Sequence, residues 1–97
     1  MHRTTVARNE ITPLLDALIS QLECEGRATQ RAYFNRIRRS LIHAQHELEL
    51  VRPIQELGTT PAVGFRFSRD ADALIDRILE KAAELAQEYE IIDQEPQ

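Results

Sequence analysis

Two histidines and a carboxylate come closest to a catalytic or metal-binding pattern in this chain. His43 and His46 are three positions apart, and Glu47 follows directly. On a continuous helix both imidazoles would lie on one face, where they could ligate Zn²⁺ or Ni²⁺. A metal site needs a third ligand and usually a fourth, but the only other histidine is His2 and the single cysteine is Cys24. We therefore predict no metal site and no cofactor.

The tripeptide His46-Glu47-Leu48 resembles the phospho-accepting His-Glu-Leu of sensor-kinase dimerisation helices. In that family a proline follows the histidine at five positions, whereas here Pro53 follows His46 at seven. The resemblance implies a His phosphotransfer protein, which is the least favoured of three hypotheses. The chain has no Gly-rich phosphate loop and no Gly-x-Ser-x-Gly motif, so we predict that it is not an enzyme.

An arginine cluster supports a second hypothesis, a nucleic-acid-binding regulator. Of the 12 basic residues all but Lys81 are arginine, and the guanidinium fork suits phosphate. The segment 62–67, followed by a helix, also resembles the opening of a ribbon-helix-helix repressor, although that family needs a second helix directly afterwards. A net charge of −4 argues against general coating of nucleic acid. The candidate phosphate-binding residues are Arg31, Arg36, Arg38 and Arg39.

Three helical patterns would position these residues. The first helix begins at Thr12, whose hydroxyl is the predicted N-cap, and Pro13 takes the first helical position. Gly26 ends this helix. The third begins after Ser68, another N-cap, and its apolar stripe is Ala71, Ile75, Ile78, Ala82, Leu85 and Tyr89. The second is ended by Pro53, and its heptad seam is Phe34, Ile37, Leu41, Ala44, Leu48 and Val51.

Charge favours an antiparallel pairing of the second and third helices. Residues 27–39 carry five arginines and no acid, whereas residues 80–97 carry six acids and one lysine. An antiparallel hairpin would bring these two blocks together. The predicted fold is therefore an all-α three-helix bundle built on a long antiparallel helical hairpin.

The connection between the second and third helices is long and apolar. Val63, Phe65 and Phe67 alternate with Gly64 and Arg66, which predicts a short extended segment with one apolar face. This segment either plugs the open end of the bundle or presents a binding edge to a partner. Phe65 and Arg66 are therefore candidate partner-binding residues.

The outer face of the second predicted helix supports the favoured hypothesis. With the heptad seam facing inward, Ile42 and Leu50 point away from it, in a mixed stripe with Arg39 and His46 and with His43 alongside. Such a surface suits a protein contact. We therefore expect a non-enzymatic protein-interaction or regulatory module that binds itself, as a helical homodimer, or another protein. The partner-binding candidates are Ile42, His43, His46, Leu50, Phe65 and Arg66.

Length and composition limit the remaining organisation. The 97 residues allow a single helical domain, placed at 11–92, with flexible tails at 1–10 and 93–97. The N-terminus has no apolar signal region and no apolar run is long enough to span a membrane. One cysteine permits no intramolecular disulfide. We expect a cytoplasmic protein that does not contact a membrane.

Overall fold

The computed structural model describes the backbone of residues 7–93 and the side chains of residues 7–87. Over that range the chain forms four α-helices and no strand, which confirms the all-α class but not the predicted number of helices. A π-helical turn, Ala7–Ile11, precedes the first helix, and a 3₁₀ turn, Thr60–Val63, follows the third. The helices are α1 (Thr12–Cys24), α2 (Ala28–His43), α3 (Leu48–Gly58) and α4 (Arg69–Asp93).

The end of α1 and the start of α4 follow the predicted signals. Gly26 has a φ of 72°, and the backbone N–H of Arg27 donates to the Leu22 carbonyl at 2.9 Å, which is the Schellman arrangement. The backbone N–H of Ala71 donates to Ser68 Oγ at 3.1 Å, as expected of an N-cap. Thr12 does not cap α1, because the π-helical turn runs directly into that helix and no side-chain cap is made.

The second predicted helix is divided into α2 and α3. Ala44 is extended, with ψ at 123°, so the helix stops after His43 and restarts at Leu48. The Glu49 carboxylate accepts a hydrogen bond from the Gln45 backbone N–H at 3.1 Å, much as the acidic residue of a capping box reaches back over a helix start. Pro53 does not end a helix but lies inside α3.

The break reverses which leucine faces the core. Leu50 is fully buried, whereas Leu48 is 84% exposed. Within α3, Leu50, Ile54 and Leu57 form a stripe with spacings of four and three, and this stripe covers the core. The predicted heptad seam therefore continues only as far as Ala44.

Each helix packs antiparallel to its neighbours. α1 packs on α2 and α4, and α3 packs on the same two helices from the other side. The ion pairs of Arg38 with Asp16 and of Arg31 with Glu23 set α1 antiparallel to α2. Lys81 Nζ lies 4.0 Å from Glu10 Oε2, whereas Ser68, at the start of α4, contacts the end of α1, so α1 is also antiparallel to α4.

α2 and α4 consequently run in the same direction and lie across the bundle from each other. Near their starts, Gln30 Nε2 donates to the Arg66 carbonyl at 2.9 Å, and the ring centroids of Phe34 and Phe67 are 6.0 Å apart. The predicted antiparallel hairpin of the second and third helices is therefore wrong. It assumed one long helix where the chain turns back after residue 43, and α3 takes the place beside α4.

All four helices and the π-helical turn contribute to one core. Ala7, which the sequence analysis assigned to a tail, is fully buried, and Arg8 donates a side-chain hydrogen bond to the Ala44 carbonyl at the break. The remaining tail predictions, at residues 1–6 and 94–97, lie outside the described residues. The largest fully buried apolar side chains are Ile11, Leu15, Leu18, Leu22, Phe34, Ile37, Leu41, Leu50, Ile54, Leu57 and Ile78.

Candidate functional site

The structure does not place His43 and His46 on one helical face. His43 is the last residue of α2 and His46 lies in the break, and both side chains are exposed. Over the described range no three His, Cys, Asp or Glu side chains are gathered closely enough to hold a metal ion. The sensor-kinase resemblance would require a helix through His46, which the break interrupts.

The arginine block of α2 pairs with acids on the two neighbouring helices. Arg31 lies 3.7 Å from a carboxylate oxygen of Glu23, and Arg38 pairs with Asp16, both acids being on α1. Arg36 lies 3.0 Å from Glu56 on α3. Among the side chains that the structure describes, no acid of α4 pairs with Arg31, Arg36 or Arg38, whose partners lie on α1 and α3 instead.

One arginine of the nucleic-acid hypothesis remains unengaged in the part of the chain that the structure describes. Arg39 is exposed and makes no ion pair with a described residue. The other three candidates, Arg31, Arg36 and Arg38, already have carboxylate partners, so phosphate would have to compete for them. This arrangement weakens the case for a phosphate-binding surface on α2.

The predicted partner-binding stripe of the second helix is not one continuous surface: His43 and His46 are exposed, but its aliphatic members are not. Leu50 is fully buried in the core and Ile42 is half-buried. Leu50 was expected to point outward because the helix was assumed to continue through Ala44 without a change of direction. The exposed aliphatic side chain in this region is instead Leu48, at the start of α3.

Phe65 belongs to a cluster of four aromatic rings at the starts of α2 and α4. The Phe65 ring lies edge-on to Tyr33 at 5.4 Å and to Phe67 at 6.0 Å between centroids. Tyr33 in turn meets Phe34 edge-on at 5.1 Å, and its hydroxyl donates to the Glu56 carbonyl at 3.2 Å. These contacts hold residues 65–67 against the bundle. Phe65 and Phe67 are half-buried, and the Arg66 residue between them is exposed.

A groove opens between this aromatic cluster and α4. Its volume is about 360 Å³, and it is walled by aromatic and aliphatic side chains from three segments of the chain. Asp72 and Asp76, one helical turn apart on α4, line it, and neither makes an ion pair with a described residue. The lining residues are Thr60, Pro61, Phe65, Phe67, Asp72, Ile75, Asp76 and Leu79.

Of the predicted site residues only Phe65 lines the groove. Ile75 was assigned to the apolar core stripe of the third predicted helix, and no site residue was predicted on that helix. One signal was available in the sequence. On one helix, Asp72 and Asp76 form a charged strip, and Ile75 and Leu79 form an apolar strip directly beside it.

A hydrogen-bond network ties the end of α1 to the start of α4. Ser68 Oγ donates to Glu25 Oε2 at 2.5 Å, and Gln21 Nε2 donates to the same oxygen at 2.7 Å. The Ser68 hydrogen bond, then that of Gln21 and the charge of Arg27, lower the pKa of Glu25 below its usual value of 4.5. The charged form of Glu25 therefore stabilises the fold.

This network predicts a pH-dependent stability difference for Glu25→Gln. Because the pKa of Glu25 is lower in the folded state, its contribution is present above about pH 4.5 and is lost as pH falls through the folded pKa. Glu25→Gln should therefore have a lower Tm than the wild type at pH 7. The difference in Tm should shrink steadily over the acid range below about pH 4.5, as measured by thermal melts. A Tm difference that is constant over this range would contradict the assignment.

No protein-family model, curated protein or solved structure matches this chain. No helix in the part that the structure describes is long and apolar enough to cross a membrane. The class that the fold defines is a four-helix all-α domain, and the groove and the exposed side chains are the features that bear on its function.

Proposed function

We propose that this chain is a non-enzymatic protein-interaction module whose binding site is the groove beside Phe65. The observation that supports it is the pairing of apolar walls with two carboxylates, Asp72 and Asp76, that have no cationic partner among the described residues. Apolar walls gain free energy when a partner side chain displaces water, and the carboxylates select a partner carrying positive charge.

The side chains of the groove suit binding better than catalysis. Its hydroxyl, that of Thr60, is buried and donates to the Glu56 carbonyl at 3.4 Å, so no base activates it as a nucleophile. The aromatic rings offer edges and faces to an apolar or cationic side chain. These features support recognition of a protein segment.

The same features disfavour nucleic acid as the occupant of the groove. Two carboxylates at the site would repel phosphate, and three of the four candidate arginines of α2 are paired with acids. A nucleic-acid-binding regulator therefore stays the alternative, with Arg39 as its least engaged residue. That alternative requires affinity for nucleic acid that falls steeply with salt, which a titration at several salt concentrations would measure.

Photo-crosslinking tests the interaction function directly. A benzophenone amino acid at the exposed Arg66 position, next to the groove, should form adducts in extracts of the native host. Excess unlabelled wild-type protein should suppress these adducts, whereas Asp76→Arg should compete at least tenfold more weakly, because it reverses a groove charge. The yield of adducts on gels measures both effects. An adduct between two copies of this chain supports the interaction function as well as an adduct with another protein does.

A matched control separates a site from random collision. Ser20 is exposed on α1 and does not line the groove, so the same crosslinker there should give few saturable adducts. Equal yields at the two positions, or competition that ignores the Asp76→Arg change, would mean that the groove is not a binding site.

A further inference from the structure

The described surface carries one feature whose chemistry matches the groove. Leu48 is 84% exposed, and Arg52, one helical turn later on α3, has a side chain that is 91% exposed. Among the described residues Arg52 forms an ion pair with Glu56, with 3.9 Å between Nε and Oε1, and the other oxygen of that carboxylate lies 3.0 Å from Arg36. We call Leu48 and Arg52 the α3 knob.

The knob and the groove are complementary in polarity and in spacing. An exposed leucine can enter a groove walled by Phe65, Ile75 and Leu79, where its apolar surface would leave water. A guanidinium one turn away can meet a carboxylate of α4 through paired hydrogen bonds. Leu48 and Arg52 are four residues apart on α3. On α4, Asp72 and Ile75 are three residues apart, and so are Asp76 and Leu79, so on both surfaces an apolar side chain lies within one helical turn of a charged one.

We propose that the groove is occupied by the α3 knob of a second copy of this chain. In this contact Leu48 packs on the apolar wall of the groove and Arg52 pairs with Asp72 and Asp76. The inference rests on the proposed interaction function and names its partner. It also replaces the two-fold surface predicted from Ile42 and Leu50, because Leu50 is inside the core.

The knob and the groove are different patches, so each copy offers one of each. Two reciprocal contacts close a dimer, whereas single contacts extend a chain of copies. A contact of this size is below that of a stable, permanent interface, so we expect a Kd on the order of 10–1000 µM. Self-association should therefore be visible in concentrated solutions of the purified protein.

Sedimentation equilibrium of the purified chain tests this proposal. The wild type should show an average mass that rises with concentration. Leu48→Ser, Arg52→Glu and Asp76→Arg should each weaken association at least tenfold, because each removes one side of the contact. Two matched controls should associate like the wild type: Val63→Ser, at the other exposed aliphatic, and Glu80→Arg, one turn beyond Asp76 on the exposed side of α4.

Mixing two defective variants gives a sharper result. Asp76→Arg keeps an intact knob and Arg52→Glu keeps an intact groove, so an equimolar mixture should form heterodimers although each variant alone is monomeric. Restored association also shows that both variants are folded. A wild type that is monomeric at millimolar concentration, or variants that associate as strongly as the wild type, would overturn the proposal. If the self-association proposal failed in this way, photo-crosslinked adducts between the groove and a different protein would still support the interaction function.

Discussion

Replacing Leu50 with alanine is expected to cost about 2–5 kcal/mol of folding free energy, whereas Leu48→Ala is expected to stay within about 0.5 kcal/mol. Both changes remove the same atoms from leucines two residues apart in α3. Leu50 is fully buried, so truncation loses apolar burial and leaves a cavity. Leu48 is 84% exposed, so truncation there loses little. The comparison therefore isolates burial as the cause.

Urea unfolding followed by circular dichroism measures this difference. An uninterrupted second helix ending at Pro53 would put Leu48 on the inner seam and Leu50 outside, so it predicts the opposite order of stabilities. A larger loss for Leu48→Ala would therefore show that the helix does not break at residues 44–47. Equal losses would mean that the two leucines are buried to the same extent, which would contradict the structure as well.

The ends of the bundle were predictable because local sequence determines them. Gly26 adopts the positive φ that ends α1, and Ser68 caps α4 through its side-chain oxygen. The core stripe of α4, including Ile75, Ile78 and Ala82, is buried as its spacing indicates. These features depend on neighbours within a few residues, which a single sequence displays.

The centre of the fold was not predictable from local signals. Residues 44–47 contain no glycine or proline, so nothing in them indicates a break. The break depends on distant partners, among them Arg8, which donates to the Ala44 carbonyl. Pro53 was interpreted as a helix end, but it is buried within α3. The helical spacing of Leu50, Ile54 and Leu57 is present in the sequence, but it was not recognised because a helix was expected to end at Pro53.

The charge pattern predicted pairing but not the partners. The arginines of α2 do form ion pairs, as expected for a basic block, yet their acids lie on α1 and α3. Acids on any of the other three helices could form ion pairs with these arginines. Exposed ion pairs contribute too little free energy to determine which helices pack together. The groove was missed for a related reason: its walls come from segments that only the tertiary fold brings together.

The aromatic cluster should separate into a structural and a binding part when two of its rings are removed in turn. Phe34 is 1% exposed, so Phe34→Ala should cost about 3–5 kcal/mol, a large share of the stability of a small domain. Phe65 is half-buried and packs edge-on against Tyr33 and Phe67, so Phe65→Ala should cost less than Phe34→Ala, about 1–2 kcal/mol.

Removing the Phe65 ring should also affect binding, because Phe65 lines the groove and Phe34 does not. Phe65→Ala should therefore remain folded at 25 °C while its self-association, measured by sedimentation equilibrium, falls at least tenfold. Urea unfolding of the same sample gives the stability cost. A loss of stability as large as that of Phe34→Ala would make Phe65 a plug of the bundle end. Unchanged association with the smaller loss would remove Phe65 from the binding site.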